Sequence, residues 1–218
     1  ADRSGGGMKK MPFSSAVNYS KNHGGRAIVI MKDGAVVNQE GQNGFNLANP
    51  RDIESGTKSF NGVILKQLVA DGLVSSYDAL VSEKITEWAS ASTQKQTCTL
   101  RRLLCMTSGL NGGSTGSNPT YAQSINALMP AGEVGNFKYG PNPFGVFGEY
   151  VRRAATGFTD AVDYLRQRVL TPAGIAVASW DNVAPGQPHM AGGAHMTAGE
   201  WAQFGEFIDS HIADLTDP

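Results

Sequence analysis

The sequence predicts a mixed α/β fold of the α+β kind, helices packed on an antiparallel sheet, from three observations. Two apolar runs, Ala27 to Met31 and Ala35 to Val37, are joined by Asp33-Gly34, the pattern of a β-hairpin. Several later segments place apolar residues at the helical period. Glycine is abundant, 27 of 218 residues, while charged residues are only 17%, which favours tight turns over long solvated helices.

The elements follow in chain order. Residues 1–12 are Gly-rich and basic and read as a flexible N-terminal arm, leaving 13–218 as a single domain. Residues 13–22 form a short helix stopped by Gly24-Gly25, and the hairpin follows. Ser55 heads a helix whose apolar residues Phe60, Val63, Ile64, Leu65, Leu68 and Val69 cover much of its circumference, so it is central and buried, with Gly72 as its stop. Ser90 to Thr97 is polar, lacks an apolar period and reads as a loop. Thr99 opens a helix carrying Leu100, Leu103 and Leu104 and closing at Gly109, after which Asn111 to Pro119 is a Gly/Ser/Asn loop. Asn142-Pro143 starts another helix, asparagine as N-cap and proline at the first helical position. Its apolar face is Phe144, Phe147, Tyr150, Val151 and Ala154, and Gly157 ends it. Thr159 starts the next, with Val162, Leu165 and Val169, ended by Pro172. Thr197-Ala198-Gly199-Glu200 is a capping box whose helix buries Trp201, Phe204, Phe207 and Ile208. One hairpin is too little sheet for these helices, because two strands alone are marginal in water and leave open edges. Further strands are expected from outside these residues.

Bulk properties exclude several classes. Eighteen basic residues balance 19 acidic ones without a basic stripe, which argues against nucleic acid as a partner. There is no apolar run of transmembrane length. The chain starts at Ala1 without a signal peptide, as a mature secreted or periplasmic protein would. Cys98 and Cys105, if on one helix, lie about 10 Å apart, too far for a disulfide, and read as two small buried apolar residues. No His/Cys/Asp/Glu grouping has metal-ligand spacing, so no metal or cofactor is expected, and His23, His189, His195 and His211 read as structural or solvent-exposed.

The chemistry centres on Ser55-Gly56-Thr57-Lys58-Ser59-Phe60. Residues three apart on a helix share a face, with Cβ atoms roughly 5–6 Å apart. A serine hydroxyl becomes a nucleophile when a neighbouring base takes its proton, and an adjacent lysine can be that base. A second Ser-x-x-Lys, Ser92 to Lys95, lies in the polar run, and about one such match is expected by chance. Two readings stand for Ser55 at this point: nucleophile, or simple helix cap.

Several further segments match one family in order. Besides the hairpin and the Ser55 motif there are Asp71-Gly72-Leu73-Val74 with Asp78 and Trp88, and Thr99 to Leu104 with Thr107-Ser108-Gly109-Leu110. Phe137-Lys138-Tyr139-Gly140 and Ala191-Gly192-Gly193 with Thr197 and Glu200 complete the series. On these, the chain resembles the serine β-lactamase and penicillin-binding-protein superfamily, in particular its class C β-lactamase-like branch, which includes esterases, D-amino-acid peptidases and amidases. The resemblance spans roughly residues 25–212 and implies a β-lactamase/transpeptidase-like fold. It implies Ser55 as nucleophile, with acid/base work shared between Lys58 and Tyr139. Where the family has Tyr-x-Asn, this chain has Tyr139, Pro141 and then Asn142 one residue late, as a substrate-binding residue or an N-cap. The family's third motif, Lys-Thr-Gly or His-x-Gly on an edge strand, does not occur after Tyr139. The C-terminal strands are therefore expected on a second polypeptide or in a part absent from this sequence. The implied activity is hydrolysis of a small-molecule ester or amide through an acyl-enzyme, with β-lactamase or D-amino-acid peptidase as alternatives and a non-catalytic homologue as the rival of another class.

Overall fold

The computed structural model describes residues 13–211, so the expected arm over residues 1–12 lies outside the described residues. Helix α1 (Phe13–Asn22) leads into strands β1 (Ala27–Lys32) and β2 (Ala35–Gly41), an antiparallel pair. The turn needs two left-handed residues, and Asp33 (φ 52°) and Gly34 (φ 76°) supply them. The short strand β3 (Arg51–Asp52) then passes into a 3-10 turn, Glu54–Lys58, and helix α2 (Ser59–Ala70).

Helix α2 is central, as expected. Phe60, Ile64 and Leu68 have no exposed surface, and Val63 and Leu65 are buried on neighbouring faces. Fully burying each such side chain contributes about 1.5–3 kcal/mol, so the helix is anchored along its length. Asp71 and Gly72 (φ 70°) close it. Between 93 and 104 come α3 (Thr93–Gln96) and α4 (Leu100–Leu104). The first corrects the expectation of a plain loop: one helical turn forms without an apolar period, with Ser92 in extended conformation before it. Helix α4 ends well before Gly109. The Met106 amide donates to Leu103 O and the Thr107 amide to Arg102 O, with Met106 itself left-handed (φ 58°). That is a Schellman closure with methionine where glycine is usual.

Helices α5 (Tyr121–Asn126) and α6 (Asn142–Ala154) pack together, and almost every residue of α6 is buried. Helix α7 (Ala161–Leu165) is capped by Asp160 rather than Thr159, because the Asp160 carboxylate accepts from the amides of Val162 and Asp163. It runs on into a π turn, Arg166–Leu170. Strands β4 (Ser179–Trp180), β5 (Asn182–Ala184), β6 (Gln187–Pro188) and β7 (Ala194–Met196) precede helix α8 (Ala198–Ser210). Strand β7 lies between β3 and β4, antiparallel to both. The capping box at Thr197 and Glu200 forms as expected.

Two expectations about burial change. Of the helix α8 row, Phe204 is fully buried, whereas Trp201, Phe207 and Ile208 are covered only in part. Trp201 and Ile208 border a groove of about 830 Å³ with Val29, Val63, Leu65, Tyr77 and Leu104. Among the described residues β1 pairs with β2 alone, so its outer edge is open beside that groove. Of the cysteines, Cys98 is buried, but Cys105 is exposed at the end of α4 and borders the groove. No helix among the described residues is long and apolar enough to cross a membrane.

Candidate active site

Ser55 lies in the 3-10 turn, not in an α-helical one. Residues i and i+3 eclipse in a 3-10 turn, which aligns the two side chains more directly than an α-helix would. Lys58 Nζ donates to Ser55 Oγ at 2.8 Å and to the carbonyl of Ala191 at 2.7 Å. The turn is entered through Glu54 in the left-handed region (φ 48°), its amide donating to Asp52 Oδ1 at 2.6 Å. Such strained non-glycine residues cluster at functional sites. Gly56 faces Trp201, and a Cβ there would lie 3.2 Å from the indole. The cap reading of Ser55 does not hold, since its hydroxyl makes no capping bond.

The loop before β7 braces this turn. Asn61 Nδ2 donates to Met190 O at 3.0 Å, the Ala194 amide to Thr57 Oγ1 at 3.1 Å, and the Ile53 amide to Ala194 O at 3.0 Å. Tyr139 arrives from the opposite wall. Its segment is held by the Lys138 amide on Met106 O at 2.8 Å and by close main-chain approach at Gly112 and Gly140. A side chain at Gly112 would strike the Tyr139 carbonyl, and one at Gly140 would strike the Gly112 carbonyl. The Tyr139 hydroxyl donates to Ser55 Oγ at 2.6 Å, and Lys58 Nζ lies 4.9 Å from the Tyr139 ring centre and 5.5 Å from that of Phe144.

Ser55 Oγ thus accepts from both neighbours. Its own proton can leave only when one of them is in its base form, a neutral amine or a phenolate. The hydrogen bond to Ser55 moves the Tyr139 phenol below its ordinary value of 10; partial burial opposes this, and the Lys58 charge adds to it. Among the described residues the Ser55 amide has no hydrogen-bond acceptor. It lies at the start of the 3-10 turn, where main-chain N–H groups and the helix dipole favour developing negative charge.

The cleft over Ser55 is about 320 Å³ and includes Lys58, Tyr139, Asp52, Glu54, Asp181 and His189, with Thr115 to Asn118 along one side. Asn142 is not among its lining residues. It opens α6 at the first helical position, after Pro141, and caps nothing. Its Nδ2 donates to Asn111 O at 2.8 Å and its Oδ1 accepts from Ser124 Oγ at 3.2 Å, so its amide secures the Asn111 loop behind the cleft. The other Ser-x-x-Lys is not brought into the cleft: Lys95 Nζ donates to Ile125 O at 2.7 Å. His189 was missed by the sequence reading, where a lone histidine carries no spacing signal. No grouping of metal-binding side chains occurs among the described residues.

The profile of the Beta-lactamase family matches residues 13–210. Among solved structures, FmtA from Staphylococcus aureus superposes with a TM-score of 0.74 at 16% identity, over 96% of this chain and 68% of that one. EstCE1, described as a hydrolase with promiscuous acyltransferase activity, gives 0.68 at 16% identity, over 90% and 72%. A class C β-lactamase from Rhodobacter sphaeroides gives 0.65 at 15% identity, over 88% and 62%. The chain spans 55–72% of the length of such structures. No curated protein sequence matches it.

Proposed function

We infer function from one premise: the chain belongs to the Beta-lactamase family, whose fold it shares with hydrolases. The reading is a serine hydrolase that opens an ester or amide bond of a small molecule through an acyl-enzyme. The observation that carries it is the meeting of Lys58 Nζ and the Tyr139 hydroxyl on Ser55 Oγ, at 2.8 and 2.6 Å, in an accessible cleft. Ser55 attacks the carbonyl carbon and its proton passes to the Lys58–Tyr139 pair. The pair then protonates the leaving group, and water releases the acid. Placing nucleophile and base in contact before substrate arrives is what activated-serine chemistry requires.

An ester or amide is favoured over a dedicated β-lactam substrate, because among the described residues no Lys or Arg besides Lys58 lines the cleft to hold a β-lactam carboxylate. β-Lactamase and D-amino-acid peptidase activity are the alternatives within this chemistry. The rival class, a non-catalytic binding homologue, is opposed by the joint presence of all three side chains in contact.

The Ser55 amide supplies one oxyanion donor, and the second is assigned to a strand beyond the described residues. The open edge of β1 and the groove beside Trp201 and Ile208 fit an added strand with apolar residues on alternate positions. That strand comes from further chain or from a second polypeptide. Losing one oxyanion donor costs about 10²–10³ in rate, so the described residues without that strand are expected to hydrolyse slowly. The test is turnover of a chromogenic ester and a chromogenic cephalosporin by the purified protein and by Ser55→Ala. Ester turnover that Ser55→Ala abolishes, with an unchanged thermal midpoint, supports the reading. Equal turnover by both proteins refutes it.

A further inference from the structure

His189 differs from the other histidines. The His23 ring bonds Tyr19 O, the His211 ring bonds Phe207 O, and His195 Nε2 bonds Asp181 Oδ2 at 3.0 Å. The His189 ring has no hydrogen bond among the described residues, although it is half-buried and lines the cleft with Ser55. Its main chain is fully engaged. The amide donates to Asp181 O at 2.8 Å, and the carbonyl accepts from the amides of Gly192 and Gly193 at 3.2 and 2.9 Å and from Trp180 Nε1 at 3.2 Å. The ring rests on Gly192, where a Cβ would come within 3.1 Å of Cε1. A clamped backbone that carries an imidazole with no protein hydrogen bond on the wall of the cleft leaves the ring nitrogens available to water or a ligand there.

The hydrolytic half of the reaction has a need this ring can meet. Once Ser55 is acylated, the attacking water reaches the acyl carbonyl from the cleft that His189 lines, whereas the Lys58 amine in the free protein is already bonded to both Ser55 Oγ and Ala191 O. Resting on the serine-hydrolase reading above, we propose that His189 is the general base of deacylation. A ring nitrogen takes one proton of water as the water oxygen bonds to the acyl carbon. The carbon–Oγ bond breaks, and Ser55 Oγ recovers a proton from the Lys58–Tyr139 pair. The imidazolium returns its proton to that pair through solvent, leaving a free acid and the starting enzyme. A neutral imidazole suits this role. Burial first, and then the Lys58 charge, move His189 below its ordinary 6.5, while Asp52 and Asp181 pull the other way. Tyr139 and Glu54 are the remaining titratable groups on the cleft wall.

The test compares the purified protein with His189→Gln and His189→Ala, using p-nitrophenyl acetate in burst kinetics with intact-mass detection. The expected result is a retained nitrophenolate burst, deacylation slowed by about 10²–10³, and acetyl-Ser55 accumulating in both variants. Added imidazole restores deacylation in His189→Ala, a rescue that a merely structural role would not give. The acid limb of kcat against pH, lying below 6.5 in the unsubstituted protein, disappears in His189→Gln. Deacylation within about twofold of the unsubstituted rate in both variants overturns the assignment to His189 while leaving the acyl-enzyme intact. Ester turnover that is the same in Ser55→Ala as in the unsubstituted protein overturns the acyl-enzyme reading and this proposal with it. If His189→Ala does not fold, the near-isosteric His189→Gln carries the same comparison.

Discussion

Asp71 ties the far end of helix α2 to the helix α7 region, and replacing it by asparagine gives a stability prediction with a pH signature. Its carboxylate accepts from Arg168 Nη2 at 2.6 Å, Arg168 Nε at 3.0 Å, Tyr164 OH at 2.8 Å and Gln67 Nε2 at 2.8 Å. These bonds, Arg168 foremost, lower the carboxyl from 3.8 to about 2. At 1.36 kcal/mol per pH unit that corresponds to about 2.4 kcal/mol, trimmed to about 2 kcal/mol because Arg168 is half exposed. The native value lies below the unfolded one, so the contribution is complete above about pH 4 and is lost as pH falls toward 2. Asp71→Asn should therefore lower the urea midpoint by about 1 M at neutral pH, for a slope of about 2 kcal/mol per molar. Near pH 2 the two proteins should differ by less than about 1 kcal/mol, since half of the Asp71 carboxyls are then protonated. A midpoint gap of the same size at both pH values would refute the electrostatic argument, and no gap at neutral pH would refute the contact itself.

Other outcomes follow from the same structure. Tyr139→Phe should slow ester turnover by about 10²–10⁴ while leaving the thermal midpoint in place, because its hydroxyl is at an accessible site and interacts only within the Ser55–Lys58 cluster; an unaffected rate would remove Tyr139 from the chemistry. Gly112→Ala should lower the midpoint and cut turnover by at least about tenfold, since the new methyl meets the Tyr139 carbonyl and must displace the phenol. A thiol reagent should modify Cys105 in the native protein and Cys98 only on unfolding, because Cys98 is buried and burial pushes its thiol up to about 12; equal reactivity by peptide mapping would contradict the packing.

What was legible in the sequence follows from how local each signal is. Asp33-Gly34 announced the hairpin because two left-handed residues in succession favour those types. Helix α2 was visible because Phe60, Ile64 and Leu68 repeat with the helical period. The Ser55–Lys58 contact was readable from spacing, but the 3-10 geometry that sharpens it was not, since three-residue spacing is common to both helix types. Strands β3, β4 and β6 hold two residues each, too few to show any alternation. The roles of Asn142 and His189 depend on partners far away in sequence: Asn142 is turned inward by Asn111 and Ser124, and His189 reaches the cleft because Asp181, Gly192 and Gly193 fix its backbone. Trp201 and Ile208 read correctly as apolar yet stay partly open, because a helix face reports what it can bury and not whether a neighbour is present to cover it.

Fluorophosphonate labelling mapped by peptide mass spectrometry tests the central contact most directly. Phosphonylation of Ser55, slowed by about 10² or more in Lys58→Met, is the expected result. Label on a different residue, or Ser55 labelling at the same rate in Lys58→Met, would contradict it.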